Sequence, residues 1–311
     1  MLGRTADNLY WMARYLERAE NTARFLGGIY RMSLLPTATA GSGAQWETLF
    51  LSPEEHEEFL SRYDVFNQEN VITYLAEDLD NPSSIRSCMC SARENVRAAR
   101  HVLSTEIWET INFTWLEICH MEYAEIVDMG IYQYFEWIKE RSHMFRGVVH
   151  GTIQRGEAFG FWQLGTCIER AGNTARLLAA RSDSFRSTAS RQEGVADFYH
   201  WGTLLRSVNA YKIYREIYRS SVEPRKVAEL LLLHPDMPRS LRCCLDEICS
   251  ILNHLRDDGD CVRDAEELRA RLVSGRIDRI LRSGLPEFLD DFGKQANTLS
   301  TEIQQDFMMV R

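Results

Sequence analysis

Leu16-Glu17-Arg18-Ala19-Glu20-Asn21-Thr22-Ala23-Arg24 is a stretch that recurs later in the chain as Ile168-Glu169-Arg170-Ala171-Gly172-Asn173-Thr174-Ala175-Arg176. Written as [LI]-E-R-A-x-N-T-A-R, the two copies agree at eight of nine positions and lie 152 residues apart. An agreement of this length indicates an internal duplication.

Placed on a helix, both copies present one stripe of apolar and small residues, which is typical of a packing face that allows close helix approach. The stripe comprises Met12, Leu16, Ala19, Ala23 and Leu26 in the first copy and Leu164, Ile168, Ala171, Ala175 and Leu178 in the second. Another face carries the same polar residues twice: Glu17, Arg18, Asn21 and Arg24, then Glu169, Arg170, Asn173 and Arg176.

This repeated polar set has two interpretations. A solvated face tolerates exchange of Glu for Asp or Arg for Lys at little cost, so retained identities indicate specific partners. The structural interpretation is a partly buried network of ion pairs that holds the two copies together. The functional interpretation is a polar cleft that binds a ligand carrying both a carboxylate and an amine.

A second block supports the duplication. Pro82-Ser83-Ser84-Ile85-Arg86-Ser87-Cys88-Met89 matches Pro238-Arg239-Ser240-Leu241-Arg242-Cys243-Cys244-Leu245 as P-x-S-[IL]-R-x-C-[ML]. The Pro and Ser predict a helix start. An Arg in the first turn is unfavourable for the helix dipole, so we expect Arg86 and Arg242 to reach carboxylates elsewhere, with Glu17 and Glu169 as candidates.

These repeats define two halves, residues 1–150 and 151–311. A further echo, Leu103–Ile107 against Leu299–Ile303, has a larger offset and predicts an insertion near 255–285 in the second half. Apolar patterns with a period near 3.6 and no alternating runs predict an all-α fold of two helical bundle halves, packed about a pseudo-twofold axis as one compact unit.

The expected helices follow from this periodicity and from turn residues. They span residues 3 to about 34, a short segment from Ser52, about 67–79, 83 or 84 to about 108, about 120–148 and 155 to about 181. Small or polar residues predict loops at 35–43 and 182–191.

Composition excludes several function classes. The 311-residue chain has a formal net charge of −9, which gives no general attraction to nucleic acid or to an anionic membrane. No apolar run reaches the length of a membrane span, and residues 1–8 do not read as a signal peptide. We therefore expect a cytoplasmic protein whose eight cysteines stay reduced.

No catalytic motif is recognisable. The phosphate-binding loops, the H-E-x-x-H motif and the Glu-x-x-His pairs of di-metal bundles are absent from the sequence, so we expect neither a metal nor a cofactor. Glu17 and Glu169 would be the candidate carboxylates for acid–base chemistry, but neighbouring Arg residues favour their ionised forms.

The repeated blocks, together with Leu2–Trp11 and Ser84–Glu109, resemble the bacterial α-E family of helical proteins along essentially the whole chain. The resemblance implies partnership with circularly permuted ATP-grasp ligases and, in some cases, with a transglutaminase-like cysteine protease. It transfers only the motif residues, Glu17, Arg18, Glu169 and Arg170, and assigns them no catalytic role.

Two functional hypotheses follow. In the first, the chain is a non-catalytic cytosolic partner of an ATP-grasp-type peptide or amide ligase, with a polar Glu/Arg cleft for a peptide or amino-acid ligand. In the second, it is an enzyme that acts on a peptide or amino-acid amide through Glu17/Glu169 and Arg18/Arg170. A purely structural homo-oligomer is a third reading.

Overall fold

The computed structural model describes residues 1–34, 43–181, 201–255 and 259–308. The described residues contain helices and connecting turns and no β-strand, in agreement with the all-α prediction. They divide into a first unit, Met1 with Thr5–Gly165, and a second unit, Leu2–Arg4 with Thr166–Arg311. The division falls within a helix, at Gly165, and the boundary of the two repeats at residue 150 stays a prediction.

The first unit contains most of α1 (Gly3–Ser33), a set of shorter helices, and two long helices near its end. These are α2 (Ala44–Glu47), α3 (Pro53–Leu60), α4 (Gln68–Ile72) with a π-helical turn (Thr73–Glu77), α5 (Ile85–Ala98), α6 (Thr105–Ile118), α7 (Tyr123–Met129), α8 (Ile131–Thr152) and the start of α9 (Glu157–Ala179). Within this unit α6 packs against α5 and α8, and α7 packs against α8.

The second unit contains the rest of α9 and seven further described helices. These are α10 (residues 201–207), α11 (Tyr211–Tyr218), α12 (Pro224–Leu233), α13 (Leu241–Leu255), α14 (Asp260–Val273), α15 (Ile277–Ser283) and α16 (Leu285–Phe307). Within this unit α14 packs against α13 and α16, and α15 packs against α16.

Both apolar stripes of the repeated motif are buried, as predicted. Helix α1 begins and ends within a residue of its predicted limits, and Ser52 caps α3 by accepting a hydrogen bond from the Glu55 backbone N–H. Local signals are sufficient here because a cap and a first-turn proline act within one turn of the helix. The loop predicted at 182–191 lies outside the described residues, as does most of the loop at 35–43.

Two predicted long helices are each divided in the structure. The helix expected over about 84–108 ends at Ala98, and Ser104 caps a new helix, α6, by accepting from the Ile107 backbone N–H. The helix expected over about 120–148 is broken at Gly130, whose φ of +95° is unfavourable for residues with a side chain. In both cases the helical spacing of apolar residues continues across the break, so the sequence pattern does not show where the first helix ends.

The second unit repeats these local features. Ser84 and Ser240 each accept a hydrogen bond from a backbone N–H three residues later, and Cys88 and Cys244 each donate to the carbonyl of the proline six residues earlier. Gly284, with φ of +109°, separates α15 from α16 in the way that Gly130 separates α7 from α8. These features make each predicted P-x-S block a capped helix start.

Buried positions of the long helices also recur, at an offset of 154 residues. The buried residues of α8 at 131, 135, 138, 142, 145 and 149 have buried counterparts in α16 at 285, 289, 292, 296, 299 and 303. Residues 107, 111, 114 and 118 of α6 correspond in the same way to 261, 265, 268 and 272 of α14.

The insertion near 255–285 stays a prediction. Helices α14 and α15 occupy the span near 255–285, and they have 14 and 7 residues, as do α6 and α7. The two similar segments on which that prediction depends occupy different structural positions. Leu103–Ile107 lies at the start of α6, whereas Leu299–Ile303 lies inside α16.

Candidate functional site

The first copy of the repeated motif forms a buried ion-pair network within the first unit. Glu17 and Glu20 lie one turn apart on α1, with 2% and 0% of their surface exposed. Arg146 of α8 donates from Nη1 to Glu17 Oε2 at 2.9 Å and from Nη2 to Glu20 Oε2. One guanidinium therefore bridges two carboxylates of a neighbouring helix.

Other side chains complete the coordination of Glu20. The Ser142 hydroxyl donates to Oε2 at 2.7 Å, and Arg24 Nε donates to Oε1 at the same distance. Arg24 Nη2 lies 3.0 Å from His143 Nε2, and because a guanidinium only donates, this contact uses the imidazole nitrogen as an acceptor. The network thus extends from a buried carboxylate to an exposed imidazole.

Burial makes this network sensitive to the loss of any member. Two carboxylates and a guanidinium lose most of their hydration, and their mutual attraction has to offset that cost. Removing one partner of a buried pair typically costs about 3–5 kcal/mol, because the remaining charge is left uncompensated. The geometry therefore favours a structural role for the first copy of the motif within its own unit, and a network that joins the two copies stays a prediction.

The other motif residues of the first copy lie around this network. Asn21 is buried, and the guanidinium of Arg18 lies 5.9 Å from the ring centroid of Tyr15. Arg14, one turn before, lies 4.6 Å from the Trp11 ring. Helix α1 therefore carries a row of arginine–aromatic contacts beside its buried carboxylates.

The second copy differs in its surroundings. Glu169 is buried like Glu17, and the Thr174 hydroxyl donates to the Arg239 carbonyl at 2.8 Å. Arg170 lies close enough to Cys243 to lower its thiol pKa, although burial dominates and leaves that pKa raised. Asn173 is half-buried and Arg176 is exposed.

Two charged members of this network, Glu20 and Arg146, have no equivalents at the matched positions of the second unit, whereas Arg24 is retained as Arg176. Glu20 corresponds to Gly172 in the motif, and Arg146 corresponds to Ser300 at the offset of α8 and α16. An acid and its basic partner are thus replaced together by small neutral residues. The two copies of the motif share a sequence but not one electrostatic environment.

The suggested pairing of Arg86 with Glu17 and of Arg242 with Glu169 is wrong. Arg242 Nε donates to Asp246 Oδ2 at 2.7 Å, one turn along α13. Arg86 Nη2 lies 3.8 Å from Glu77 Oε2, at the end of the π-helical turn. The partners differ because residue 233, which corresponds to Glu77, is Leu, and residue 90, which corresponds to Asp246, is Cys.

Glu77 and Arg86 form a second, looser polar cluster in the first unit. Burial raises the pKa of the Glu77 carboxyl, against the lowering effects of the Thr73 hydroxyl, Arg86 and the Tyr123 backbone N–H. Tyr134 of α8 is buried nearby, and burial raises the pKa of its hydroxyl well above the ordinary value. Arg86 Nη2 and Glu77 Oε1 are shielded and have no hydrogen-bond partner among the described residues.

Three cysteine thiols have a pKa shift opposite to that of a nucleophile. All eight cysteines lie among the described residues, and none forms a disulfide. Burial raises the pKa of Cys90 and Cys243, and it raises that of Cys249 to about 11. A reactive cysteine needs the opposite shift, because the thiolate is the attacking species.

The part of the chain that the structure describes brings together no group of three or more His, Cys, Asp or Glu side chains suited to a metal ion. It also contains no helix with the length and apolar character required to cross a bilayer.

Comparison with known proteins places this fold in a family. Residues 1–308 match the model of the Alpha-E family, described as a predicted alpha-helical domain with a conserved ER motif. The chain belongs to the Alpha-E family. No curated protein and no solved structure matched it. This Alpha-E chain has Glu-Arg at 17–18, 140–141 and 169–170, of which the first and last lie in the repeated stretch.

Sequence reasoning missed the residues at the centre of the network: Glu20, Arg146, Ser142 and His143. Glu20 was set aside because it is the one variable position of the motif. One sequence signal could have identified the network: both members of the Glu20–Arg146 pair differ between the two halves, where they match Gly172 and Ser300. That signal is visible only when α8 is aligned with α16 through Gly130 and Gly284.

Proposed function

We propose that this Alpha-E protein is a binding partner of an ATP-grasp-type ligase that forms peptide or amide bonds, and that it has no catalytic role of its own. The association with such ligases, and with a transglutaminase-like protease, is what the family resemblance implies. The proposal places the complex in the cytoplasm.

The observation that carries the proposal is the state of Glu17. A carboxylate that is to bind a substrate or transfer a proton has to face the reactants. Glu17 is instead buried and ion-paired with Arg146, which also engages Glu20. This arrangement supports an architectural role for the first Glu-Arg motif. In this proposal, other molecules are therefore bound by the protein surface and not by the motif.

An internal duplication is part of this proposal. It is supported by the repeated caps at Ser84 and Ser240, the glycines at 130 and 284, and the matched buried positions of α8 and α16. The pseudo-twofold packing of the two halves stays a prediction.

The test is a gentle affinity purification of the tagged protein from its own cells, followed by mass spectrometry of the proteins and small molecules that co-elute. An ATP-grasp ligase in stoichiometric amount is the expected result. Turnover of an amino-acid amide by the isolated chain would overturn the proposal. A bound peptide or amino acid without any protein would favour the ligand-binding interpretation of the Glu-Arg motif.

Substitution of Glu17 by Gln separates the architectural role from an enzymatic one. The architectural role predicts a large loss of stability, since Arg146 would remain buried beside a neutral side chain. An enzyme that used Glu17 would lose its activity while its melting temperature stayed nearly unchanged.

A further inference from the structure

Helix α6 carries two large apolar side chains on its solvent-facing side. Phe113 and Leu116 are 61% and 59% exposed, and their spacing of three residues places them side by side on one helix face. The opposite face of α6 is fully used, because Ile107, Ile111, Thr114 and Ile118 are buried. The exposed pair is therefore additional to what the packing of this helix requires.

The matched helix of the second unit shows that this position in the fold does not require apolar side chains. At the offset of 154 residues that aligns the buried faces of α6 and α14, Phe113 corresponds to Glu267 and Leu116 to Ala270, and both are exposed. Glu109 corresponds in the same way to the exposed Arg263. The face of α14 is thus an ordinary solvated surface, whereas that of α6 is not.

The charged side chains of the segment that carries the exposed pair are all acidic, and Glu109 and Glu117 lie one turn before and after Phe113. Arg93 and Arg100, which precede this segment, contact Asn112 and Trp108 of α6. Residues 101–138 contain no Lys or Arg, although the whole chain has 36 of them. The same segment contains Glu106, Glu109, Glu117, Glu122, Glu125, Asp128 and Glu136. Of these acids, all except the half-buried Glu136 are exposed.

We propose that the exposed face of α6, centred on Phe113 and Leu116, is the docking surface for a cationic amphipathic helix of a partner protein. Apolar side chains of that helix cover the exposed pair, and its Lys or Arg residues lie against the surrounding carboxylates. Charge complementarity favours this occupant, because the exposed carboxylates of α6 attract a cationic helix and repel anionic lipid and acidic proteins. The inference rests on the proposed function only in assuming that the chain binds another protein.

The direct test uses a fluorescein-labelled helical peptide of Leu and Lys, about 14 residues long, with a Leu-and-Glu peptide of the same pattern as reference. Fluorescence anisotropy with the full chain should show saturable binding of the Lys peptide that weakens at about 0.3 M salt. The Phe113→Gln/Leu116→Gln variant should bind roughly tenfold more weakly. Equal binding of both peptides, or no effect of this variant, would overturn the proposal.

Two controls separate the surface from the general acidity of the protein. Glu109→Lys/Glu117→Lys and Glu54→Lys/Glu57→Lys change the net charge equally, yet only the first pair should abolish binding, since Glu54 and Glu57 lie on α3. Ile217→Gln/Val273→Gln removes exposed apolar side chains of the second unit and should have no effect. Circular dichroism verifies that each variant is folded.

The natural partner and the surface are then tested separately. The affinity purification from cells is repeated with tagged variants. We expect the Ile217→Gln/Val273→Gln variant to retain the ligase and the Phe113→Gln/Leu116→Gln variant to lose it. Absence of the ligase from the wild-type eluate would count against the proposed function and not against peptide binding. Retention by both variants would overturn the surface alone. Self-association that disappears in the first variant would identify a second copy as the occupant and overturn the choice of partner.

Discussion

Arg146 of α8 bridges Glu17 and Glu20 of α1, so an invariant position of the repeated motif and its one variable position share the same guanidinium. Of these two glutamates, only Glu17 is common to both copies of the motif. It is retained in the second copy as Glu169, whereas Glu20 and Arg146 are replaced by Gly172 and Ser300. Glu169 stays buried although Ser300 stands at the position that matches Arg146, so the surroundings of the two glutamates differ.

Replacement of Glu20 by Gln should destabilise the protein by about 3–5 kcal/mol, because Arg24 and Arg146 would both lose a buried carboxylate. Urea denaturation followed by circular dichroism measures the change in the free energy of unfolding. Glu109→Gln, at an exposed site of α6, serves as the control and should change that free energy by no more than about 0.5 kcal/mol. A loss below about 1 kcal/mol for Glu20→Gln would show that the network has little energetic importance.

Local signals predicted much of this fold from the sequence. The starts of α3, α5 and α13 depend on a serine cap within one turn, so they were visible in short windows at Ser52, Ser84 and Ser240. The buried stripes of α1 and α9 were equally visible, because a helix that packs on one side imposes its own period on the sequence.

The breaks within helices were less predictable. Ile85, Met89, Ala92, Val96 and Leu103 keep a helical spacing although α5 ends at Ala98, and nothing in that spacing records where the backbone turns. Gly130 was overlooked because a single glycine within a helical pattern usually costs only about 1 kcal/mol. Here its positive φ ends one helix and begins another.

Long-range pairing was the least predictable feature. Arg146 lies 126 residues from Glu20, and no periodicity links positions on different helices. Arg86 and Arg242 were expected to have equivalent partners because they occupy equivalent positions. Their carboxylates come from different places, a π-helical turn in one unit and the same helix in the other.

Gly165 and Gly172 on α9 should respond in opposite ways to substitution by alanine. A Cβ at Gly165 would meet the Tyr10 carbonyl and lie 3.1 Å from Ala13 Cβ, so the first unit would have to shift. A Cβ at Gly172 would meet nothing within 4 Å. Thermal denaturation should therefore show destabilisation by about 1–3 kcal/mol for Gly165→Ala.

For Gly172→Ala the same measurement should show stabilisation by about 0.5–1 kcal/mol, since alanine has the higher helix propensity. Each variant is the natural control of the other because both lie in one helix. Equal effects of the two substitutions would contradict the close approach of α1 to Gly165.

Arg219, which ends α11, should be more stable as glycine. Its φ of +48° and ψ of +32° place it in the left-handed region, which costs a residue with a side chain roughly 1 kcal/mol or more. Arg219→Gly should therefore raise the free energy of unfolding by about 1 kcal/mol. Arg215→Gly, inside the same helix, should lower it by about the same amount, and a common sign for both would refute the explanation.

Cys249 should make the protein less stable as the pH rises above neutrality. Burial raises the pKa of its thiol to about 11 in the folded chain, whereas the unfolded thiol titrates near 9.0. Between these values the unfolded chain binds fewer protons than the folded chain, so the free energy of unfolding falls as the pH increases. That contribution is absent below about pH 8, where both forms are protonated.

The measurement is the free energy of unfolding of the wild type and of Cys249→Ala at intervals from about pH 7 to pH 10. The variant has no thiol at this position, so its stability should fall less steeply than that of the wild type above about pH 9. The comparison of slopes removes the common contribution of tyrosines and other cysteines. Parallel curves would mean that Cys249 does not titrate differently in the folded and unfolded chains.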